Sequence, residues 1–108
     1  LSDGRPGPVE IPVNYAFDDW NFGMTARMDS RPIFGRETIL PLWREEFEAT
    51  HDWGGVTTLV LHPQVSGRPM RWRMLRDFLT GIAERGDVWI ATGQQILEHY
   101  ESCEQAAR

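Results

Sequence analysis

The alternation of two hydrophobic periodicities along the chain constrains the fold more than any other feature. Three short apolar segments have the character of strands: "VEIPVNYAF" (9–17), "VTTLVLH" (56–62) and "DVWIAT" (87–92). In the first segment every second residue is apolar, as in a half-buried strand. The other two are continuous apolar runs, typical of strands buried on both faces. Pro12 predicts an edge position for the first strand, because proline donates no ladder hydrogen bond.

Three amphipathic helices are predicted between and after these segments. The helix over 37–50 has apolar residues at spacings of three and four. The helix over 69–85 starts at a proline and stops before a glycine, which suits both ends. A third helix opens at Thr92, where Gln95 predicts a capping box. The predicted inward-facing residues are Ile39, Leu40, Trp43, Phe47, Trp72, Leu75, Phe78, Leu79, Ile82, Ile96, Leu97 and Tyr100.

This order predicts an α/β fold of three consecutive βα units with parallel strands and right-handed crossovers. A chain of 108 residues forms one domain at most. In such folds the functional residues follow the carboxyl ends of the strands. Here those positions are Asp18 and Asp19, then the run 62–68, and finally Thr92 and Gly93. The irregular stretch 18–36 is too long for a simple connection, so it is a candidate functional loop.

The charge and cysteine content argue against several classes of partner and against an internal disulfide. A net charge of −5 argues against a nucleic acid or an anionic membrane as partner. The basic residues between Arg68 and Arg76 are expected on a solvated helix face. The single cysteine, Cys103, cannot form an internal disulfide. Without a visible signal peptide or a run of about 20 apolar residues, a cytoplasmic location is expected, although a trimmed N-terminus would also explain the absence of an initial methionine.

His62 lies where an apolar strand gives way to a loop, and two interpretations of it stay open. It could act as a general acid or base, since histidine titrates near neutrality. Alternatively, it only caps the strand by bonding to the backbone. Asp18 and Asp19 could orient such a histidine, and one of them is expected to enter the site, because adjacent strand residues face opposite ways. The alternative for the acidic pair is an Asx turn.

Other chemistries find little support in the sequence. His51, His62 and His99 stand on different elements, and no His-x-x-x-His or Cys-x-x-Cys pair exists, so no metal site is predicted on this chain. Ser66 lies in an ordinary turn sequence without the Gly-x-Ser-x-Gly elbow of a nucleophile. No glycine-rich phosphate loop is present.

Two of the five tryptophans are candidates to stack on a sugar ring. Trp43 and Trp72 fall on predicted helix stripes and are assigned to the core. Trp20 and Trp89 lie outside those stripes and are the better candidates for a substrate groove.

The stretch from Gly55 to Tyr100 resembles the C-terminal part of polysaccharide deacetylases, a superfamily that includes chitin-oligosaccharide and peptidoglycan deacetylases and the related metal-independent allantoinases. The resemblance is carried by "LVLHPQVSGRPMRWRMLRDFLTGIAERGDVWIATGQQILEHY", with its Leu-His-Pro strand end, Gly-Arg-Pro loop and Asp-Val-Trp before a short helix. "IPVNYAFDDW" looks like the upstream strand that ends in an acidic pair. The match implies that residues 1–108 are the C-terminal half of a distorted (β/α) barrel domain.

The resemblance implies a hydrolase that cleaves C–N (amide) bonds, deacetylating an N-acetylated sugar or polysaccharide. It makes His62 the general acid on the leaving amine, and Asp19 or Asp18 the acidic residue at the barrel mouth. The alternative function is a catalytically inactive half-barrel that serves as an assembly or binding module. The expected substrate contacts are Trp20, Arg68 and Trp89.

Several motifs of the resembled family are missing from this chain. Its first-strand Asp-Asp motif, its His-x-x-x-His metal pair and its Arg-Pro loop are expected in an N-terminal half. The resemblance therefore implies no cofactor on this chain, and a divalent, zinc-like metal in the complete enzyme through that half. The expected partners are a carbohydrate or related amide substrate, and either a second copy of the chain or the missing half. The helix faces carrying Arg71, Glu84 and Glu98 are expected in solvent.

Overall fold

The computed structural model describes residues 7–24 and 32–106. Its helical elements follow one another with short extended connections. They are a 3-10 helix at Tyr15–Phe17, α1 (Trp20–Gly23), α2 (Arg36–Asp52), α3 (Pro63–Ser66), α4 (Pro69–Ala83) and α5 (Gly93–Ala106).

The three predicted helices form where the sequence places them. Pro69 is the first residue of α4, a position at which a backbone N–H would have no acceptor within the helix, so proline costs no hydrogen bond there. Gly86 follows α4 with φ of +74°, a left-handed conformation that favours glycine. The capping box of α5 is confirmed, because Gln95 Oε1 accepts from Thr92 N at 2.8 Å and Gln95 N donates to Thr92 Oγ1 at 3.3 Å.

The core lies between α2 and α4, with Phe17 inserted from the 3-10 helix. The Trp43 ring packs 5.5 Å from Phe78 and 6.3 Å from Phe17, centroid to centroid. Trp43 Nε1 also donates to Ala16 O at 2.7 Å, so its one polar atom is satisfied. Full burial of each such aromatic contributes about 1.5–3 kcal/mol. The buried core cluster comprises Phe17, Ile39, Leu40, Trp43, Phe47, Met74, Leu75 and Phe78.

The predicted inward face of α4 is partly correct, because Leu75 and Phe78 are buried, but the start of the face is misplaced by one position. Trp72 was assigned to the core but is 55% exposed. Arg71, expected in solvent, is only 3% exposed. The neighbouring residue points about 100° away around a helix, so a shift of one position exchanges the two environments. The buried stripe has the spacing i, i+3, i+4, i+7 and consists of Arg71, Met74, Leu75 and Phe78.

The predicted α/β fold of three parallel strands is wrong. Within residues 7–24 and 32–106, the only strand pairing is one parallel bridge between Asp18 and Val60. Its hydrogen bonds run from Val60 N to Phe17 O (3.0 Å) and from Asp19 N to Val60 O (3.1 Å). Residues 9–14 and 87–92 form no ladder, and the first predicted strand ends in a 3-10 helix. The mostly helical structure does not support a (β/α) barrel either.

The strand prediction failed because a sheet requires two segments that pair, whereas the sequence pattern describes only one segment at a time. Apolar and β-branched residues favour extended backbone, which a local pattern can indicate. A ladder additionally needs a neighbour in register about 4.8 Å away. Within 56–61 only Val60 pairs with another segment, at Asp18. Residues 87–92 pair with none of the described residues.

A network of charged side chains joins the end of α2 to the turn after α4. Arg85 donates to both carboxylate oxygens of Glu48 and, through Nε, to Asp87 at 3.0 Å. These hydrogen bonds raise the pKa of Arg85 and lower that of Asp87. His51 Nε2 lies 3.4 Å from Asp87 in the same network.

None of the described helices combines the length and apolarity that crossing a bilayer requires.

Candidate functional site

The single parallel bridge brings His62 beside Asp19. The carboxylate of Asp19 accepts the backbone N–H of His62, at 2.9 Å to Oδ2 and 3.1 Å to Oδ1. The ring Nδ1 of His62 lies 2.7 Å from Asp19 Oδ1. Asp19 is 3% exposed, whereas the side chain of His62 is 32% exposed. The pair therefore joins a buried acceptor to a ring that reaches solvent.

Ser66 supplies a third donor to the same carboxylate. Its Oγ donates to Asp19 Oδ2 at 2.5 Å. His62 is the N-cap of α3, and its carbonyl accepts from Ser66 N at 2.9 Å, so one helical turn places the hydroxyl over Asp19. Sequence reasoning missed this role. The sequence does contain a pattern that indicates it. Ser66 stands four positions after His62, and the intervening Pro63 suits the first position of a helix, so one helical turn is expected between them.

The hydrogen bonds assign the proton on the His62 ring. An ionised carboxylate only accepts, so Nδ1 carries a hydrogen and donates to Asp19. Among the described residues no side chain or backbone group bonds to Nε2. Nε2 can therefore accept a proton in the neutral ring or deliver one from the imidazolium. The buried carboxylate against Nδ1 holds the ring in one orientation while it does so.

Asp18 and Asp19 have different surroundings. Asp18 Oδ1 accepts from Trp20 N at 2.9 Å, which closes the turn that starts α1 in the manner of an Asx turn. The same oxygen lies 3.7 Å from His62 Nδ1, beyond hydrogen-bonding distance. Asp19 thus bonds to His62, whereas Asp18 closes the turn before α1 and adds negative charge nearby.

Trp20 forms an aromatic wall beside the histidine. Its ring centroid lies 5.0 Å from that of His62, with the planes tilted by 58°. Trp20 is the first residue of α1 and half-buried, so part of its ring remains accessible.

Arg68 and Trp89, the other predicted substrate contacts, are positioned differently. Arg68 is the N-cap of α4, and its guanidinium reaches Gly23 O at 3.4 Å, close to the end of α1. Trp89 is 58% exposed on the extended segment before α5 and packs against His99 at 5.6 Å. The structure thus brings Asp18, Asp19, Trp20 and His62 into contact, with Arg68 at the far end of α1 and Trp89 in contact with α5 instead.

The acidic pair and the histidine offer three ligand atoms within 4.8 Å of one another. Both oxygens of Asp19, however, already accept hydrogen bonds from His62 N, His62 Nδ1 and Ser66 Oγ. A metal ion bound through these atoms would have to replace hydrogen bonds that the carboxylate already accepts, one of them from the buried Ser66. As it stands, the donor set forms a hydrogen-bonded acid–base pair.

Comparison with known proteins identifies one relevant similarity. No family profile matches the sequence, and no curated protein does. A solved structure from Mycobacterium smegmatis, provisionally described as a polysaccharide deacetylase, superposes with a TM-score of 0.80 at 37% sequence identity. The match covers 86% of this chain and 33% of the other. The chain thus spans about a third of the length of the structure it matches.

Proposed function

The chain belongs to the polysaccharide deacetylase superfamily, and from this premise we propose that it supplies the general acid of a hydrolase that cleaves C–N bonds. Because the chain spans 33% of the matching structure, the activity is proposed for the complete protein in which this segment acts.

The observation that carries the proposal is the bond between His62 and Asp19. In hydrolysis of an amide, water adds to the carbonyl carbon, the C–N bond breaks, and the products are a carboxylic acid and an amine. An amine leaves slowly unless its nitrogen is protonated as the bond breaks. The His62 imidazolium would deliver that proton from Nε2 while Asp19 holds Nδ1–H, 2.7 Å away, and balances the charge.

This assignment differs from a nucleophilic triad although it uses similar residues. Ser66 is buried and its hydroxyl donates to Asp19. It therefore orients the carboxylate and does not attack the substrate. The chain contributes proton delivery, and no residue described here is assigned to water activation.

An N-acetylated sugar or polysaccharide is the substrate that the surroundings of His62 favour. The Trp20 ring, 5.0 Å from the acid, offers an apolar face on which a pyranose ring could stack. A sugar held there would present its acetamido nitrogen toward Nε2. Arg68, at the other end of α1, could contact a neighbouring sugar unit. Trp89 is a weaker candidate, because it packs beside His99 on α5.

The test is an assay of the full open reading frame product with oligomers of N-acetylglucosamine and, separately, with small ureido and amide compounds. We expect release of free amine from the acetylated sugars, measured with an amine-reactive fluorophore. His62→Ala should slow the release by about 10²–10⁴-fold, and His99→Ala, which replaces an exposed histidine on α5, should retain it. A wild-type protein that releases amine from none of these compounds would refute the proposal.

A second candidate function is an assembly or binding module without catalysis. It is favoured by exposed apolar side chains on the extended segments, namely Val56, Leu61, Trp89 and Ile90. Under this alternative, binding of oligosaccharide or of a partner chain would be unchanged by His62→Ala, and no amine would be released.

A further inference from the structure

Arg71 is a buried cation in the first turn of α4. Its side chain is almost completely enclosed, with the residue 3% exposed. Nη2 donates to Phe22 O at 2.7 Å and to Phe34 O at 2.5 Å. Both acceptors are neutral carbonyls, so among the described residues no carboxylate forms a hydrogen bond to this guanidinium. Burying a charge costs several kcal/mol unless its surroundings compensate, which makes such a residue unusual in a small domain.

The two carbonyls belong to segments that are distant in sequence from α4. Phe22 lies within α1, and Phe34 lies just before α2. Phe34 N also donates to Phe22 O at 3.0 Å, and the two rings pack edge-on at 6.1 Å. Arg71 therefore fastens the junction of these segments onto α4 through a single nitrogen.

The Gly23 face of α1, which lies near Arg71, is also in close contact with α3. A Cβ added to Gly23 would collide with Val65 Cγ1 and would lie 3.6 Å from Arg71 Nη2. Val65 is completely buried, so it has no room to move aside. The Gly23 face of the short helix α1 thus packs against both Val65 of α3 and the guanidinium of Arg71.

The charge of Arg71 also acts on the candidate site. Burial lowers the pKa of Arg71, and the negative charges of Asp19 and Glu37 oppose that shift, while Arg68 adds to it. Asp19 and Arg71 are equally buried, at 3% exposed each, so the attraction between them is only weakly screened. Arg71 thus compensates for the buried carboxylate beneath His62.

We propose that Arg71 is a positioning residue that holds α1 against α3 and thereby keeps the Trp20 ring against His62. Its effect on substrate rests on the proposed function, because Trp20 is the assigned wall of the sugar site. Its effect on the two rings does not depend on any activity.

The first experiment reads the Trp20–His62 contact directly. A charged imidazole next to an indole quenches its fluorescence, so acidification from about pH 8 to about pH 5, where histidines titrate, reports the contact. Trp89→Phe serves as the background, because Trp89–His99 is the other tryptophan–histidine ring pair among the described residues. In this background, the fall in fluorescence on acidification (the quench) should disappear when Trp20→Phe is added. Arg71→Met, which matches the apolar length of arginine, should lose most of the quench.

Matched variants make the outcome specific to Arg71. Arg73→Met, an exposed arginine on the same helix, should keep the full quench. Arg71→Lys should give an intermediate value, because an ammonium retains the charge but lacks the planar fork. Gly23→Ala displaces α1 from Val65 with Arg71 intact, and it should also lose the quench. A folded Arg71→Met with the quench of its parent would overturn the proposal. If that variant does not fold, an unchanged quench in folded Gly23→Ala would overturn it.

The second experiment separates positioning from general stability in the complete protein. Arg71→Met, which should displace the Trp20 ring, should raise KM for an acetylated oligosaccharide by about tenfold. It should lower kcat less, because the interaction lost binds substrate and transition state equally. Unchanged KM with a large fall in kcat would contradict the positioning role. A wild-type protein without amide hydrolysis would refute the proposed function alone, and the fluorescence result would still decide the role of Arg71.

Discussion

Asp19 holds His62 by two different atoms, the backbone amide at 2.9 Å and the ring Nδ1 at 2.7 Å. The carboxylate therefore fixes both the place where the chain turns and the orientation of the imidazole. Since Ser66 adds a third hydrogen bond, the acceptor itself cannot rotate freely. Such preorganisation lets the ring donate or accept a proton without first paying for reorientation.

His62→Ala in the complete protein should lower kcat by about 10²–10⁴-fold, because a positioned general acid contributes about that factor. The measurement is steady-state release of amine from an acetylated oligosaccharide. His99→Ala, on the exposed side of α5, is the control and should keep its turnover. Wild-type turnover in His62→Ala would reduce the residue to the structural role of capping α3.

Asp19→Asn and Asp18→Asn should differ sharply. At position 19 the amide NH₂ would face the donors of His62 and Ser66, leaving buried groups unpaired at a cost of about 1–3 kcal/mol. At position 18 the amide oxygen can still accept from Trp20 N, so the change in stability should be small. Urea unfolding of the three proteins measures this. Equal unfolding free energies for the two variants would contradict the different roles assigned to the pair.

The hydrogen bonds that the Asp19 carboxylate accepts predict how much metal the chain holds. Because both oxygens of Asp19 accept protein hydrogen bonds, the chain should hold no stoichiometric zinc after extensive dialysis. Elemental analysis of protein first incubated with zinc checks this. Ser66→Ala frees one carboxylate lone pair and is the variant in which binding should increase. One zinc per wild-type chain would overturn the reading of this cluster as an acid–base pair.

The ion pairs around Arg85 predict that the free energy of unfolding falls at acidic pH. Arg85 lowers the pKa of Asp87 in the folded chain below its unfolded value of about 3.9. The stabilisation by this group is therefore present above about pH 3.9 and is lost as the pH falls through the lower folded value. Asp87→Asn should thus lose less stability than the wild type between about pH 5 and about pH 2.

The control for Asp87 is Asp52→Asn, at the exposed C-terminus of α2. It should follow the wild-type acid profile in urea unfolding. Because Asp87 is solvent-exposed, added salt should reduce the difference between wild type and Asp87→Asn. Identical acid profiles for Asp87→Asn and wild type at low salt would contradict the contribution of the pair.

The exposed apolar segments predict association of the chain. Ile90 is 68% exposed and Trp89 58%, on an extended segment that pairs with no other described residue. Such segments tend to pair with another chain. Light scattering at micromolar concentration should give a mass above 12.5 kDa. Ile90→Lys should lower that mass and Thr80→Lys, on the exposed face of α4, should not; a monomeric wild type would refute the prediction.

The three longer helices and the position of His62 at the end of an apolar segment could be predicted from local sequence. The start of α4 at Pro69, the Thr92–Gln95 box and the position of His62 before Pro63 all depend on residues within a few positions of each other. Helical hydrogen bonds and caps are formed at this range, so a local pattern is enough to indicate them. The sequence does not predict that Arg71 belongs to the buried face of α4, because Arg71 is buried by carbonyls of other segments, which its own helix does not encode.

The amino-acid sequence by itself determined where the three longer helices lie, that α4 starts at Pro69 and α5 at its capping box, and that a histidine follows an apolar segment. Only the tertiary structure decided that Asp19, and not Asp18, bonds to His62, since this contact spans 43 positions of the chain. It also decided that the apolar segments remain extended without forming a sheet. Hydrogen bonds between distant segments depend on how the whole chain packs, and the local residue pattern does not specify that packing.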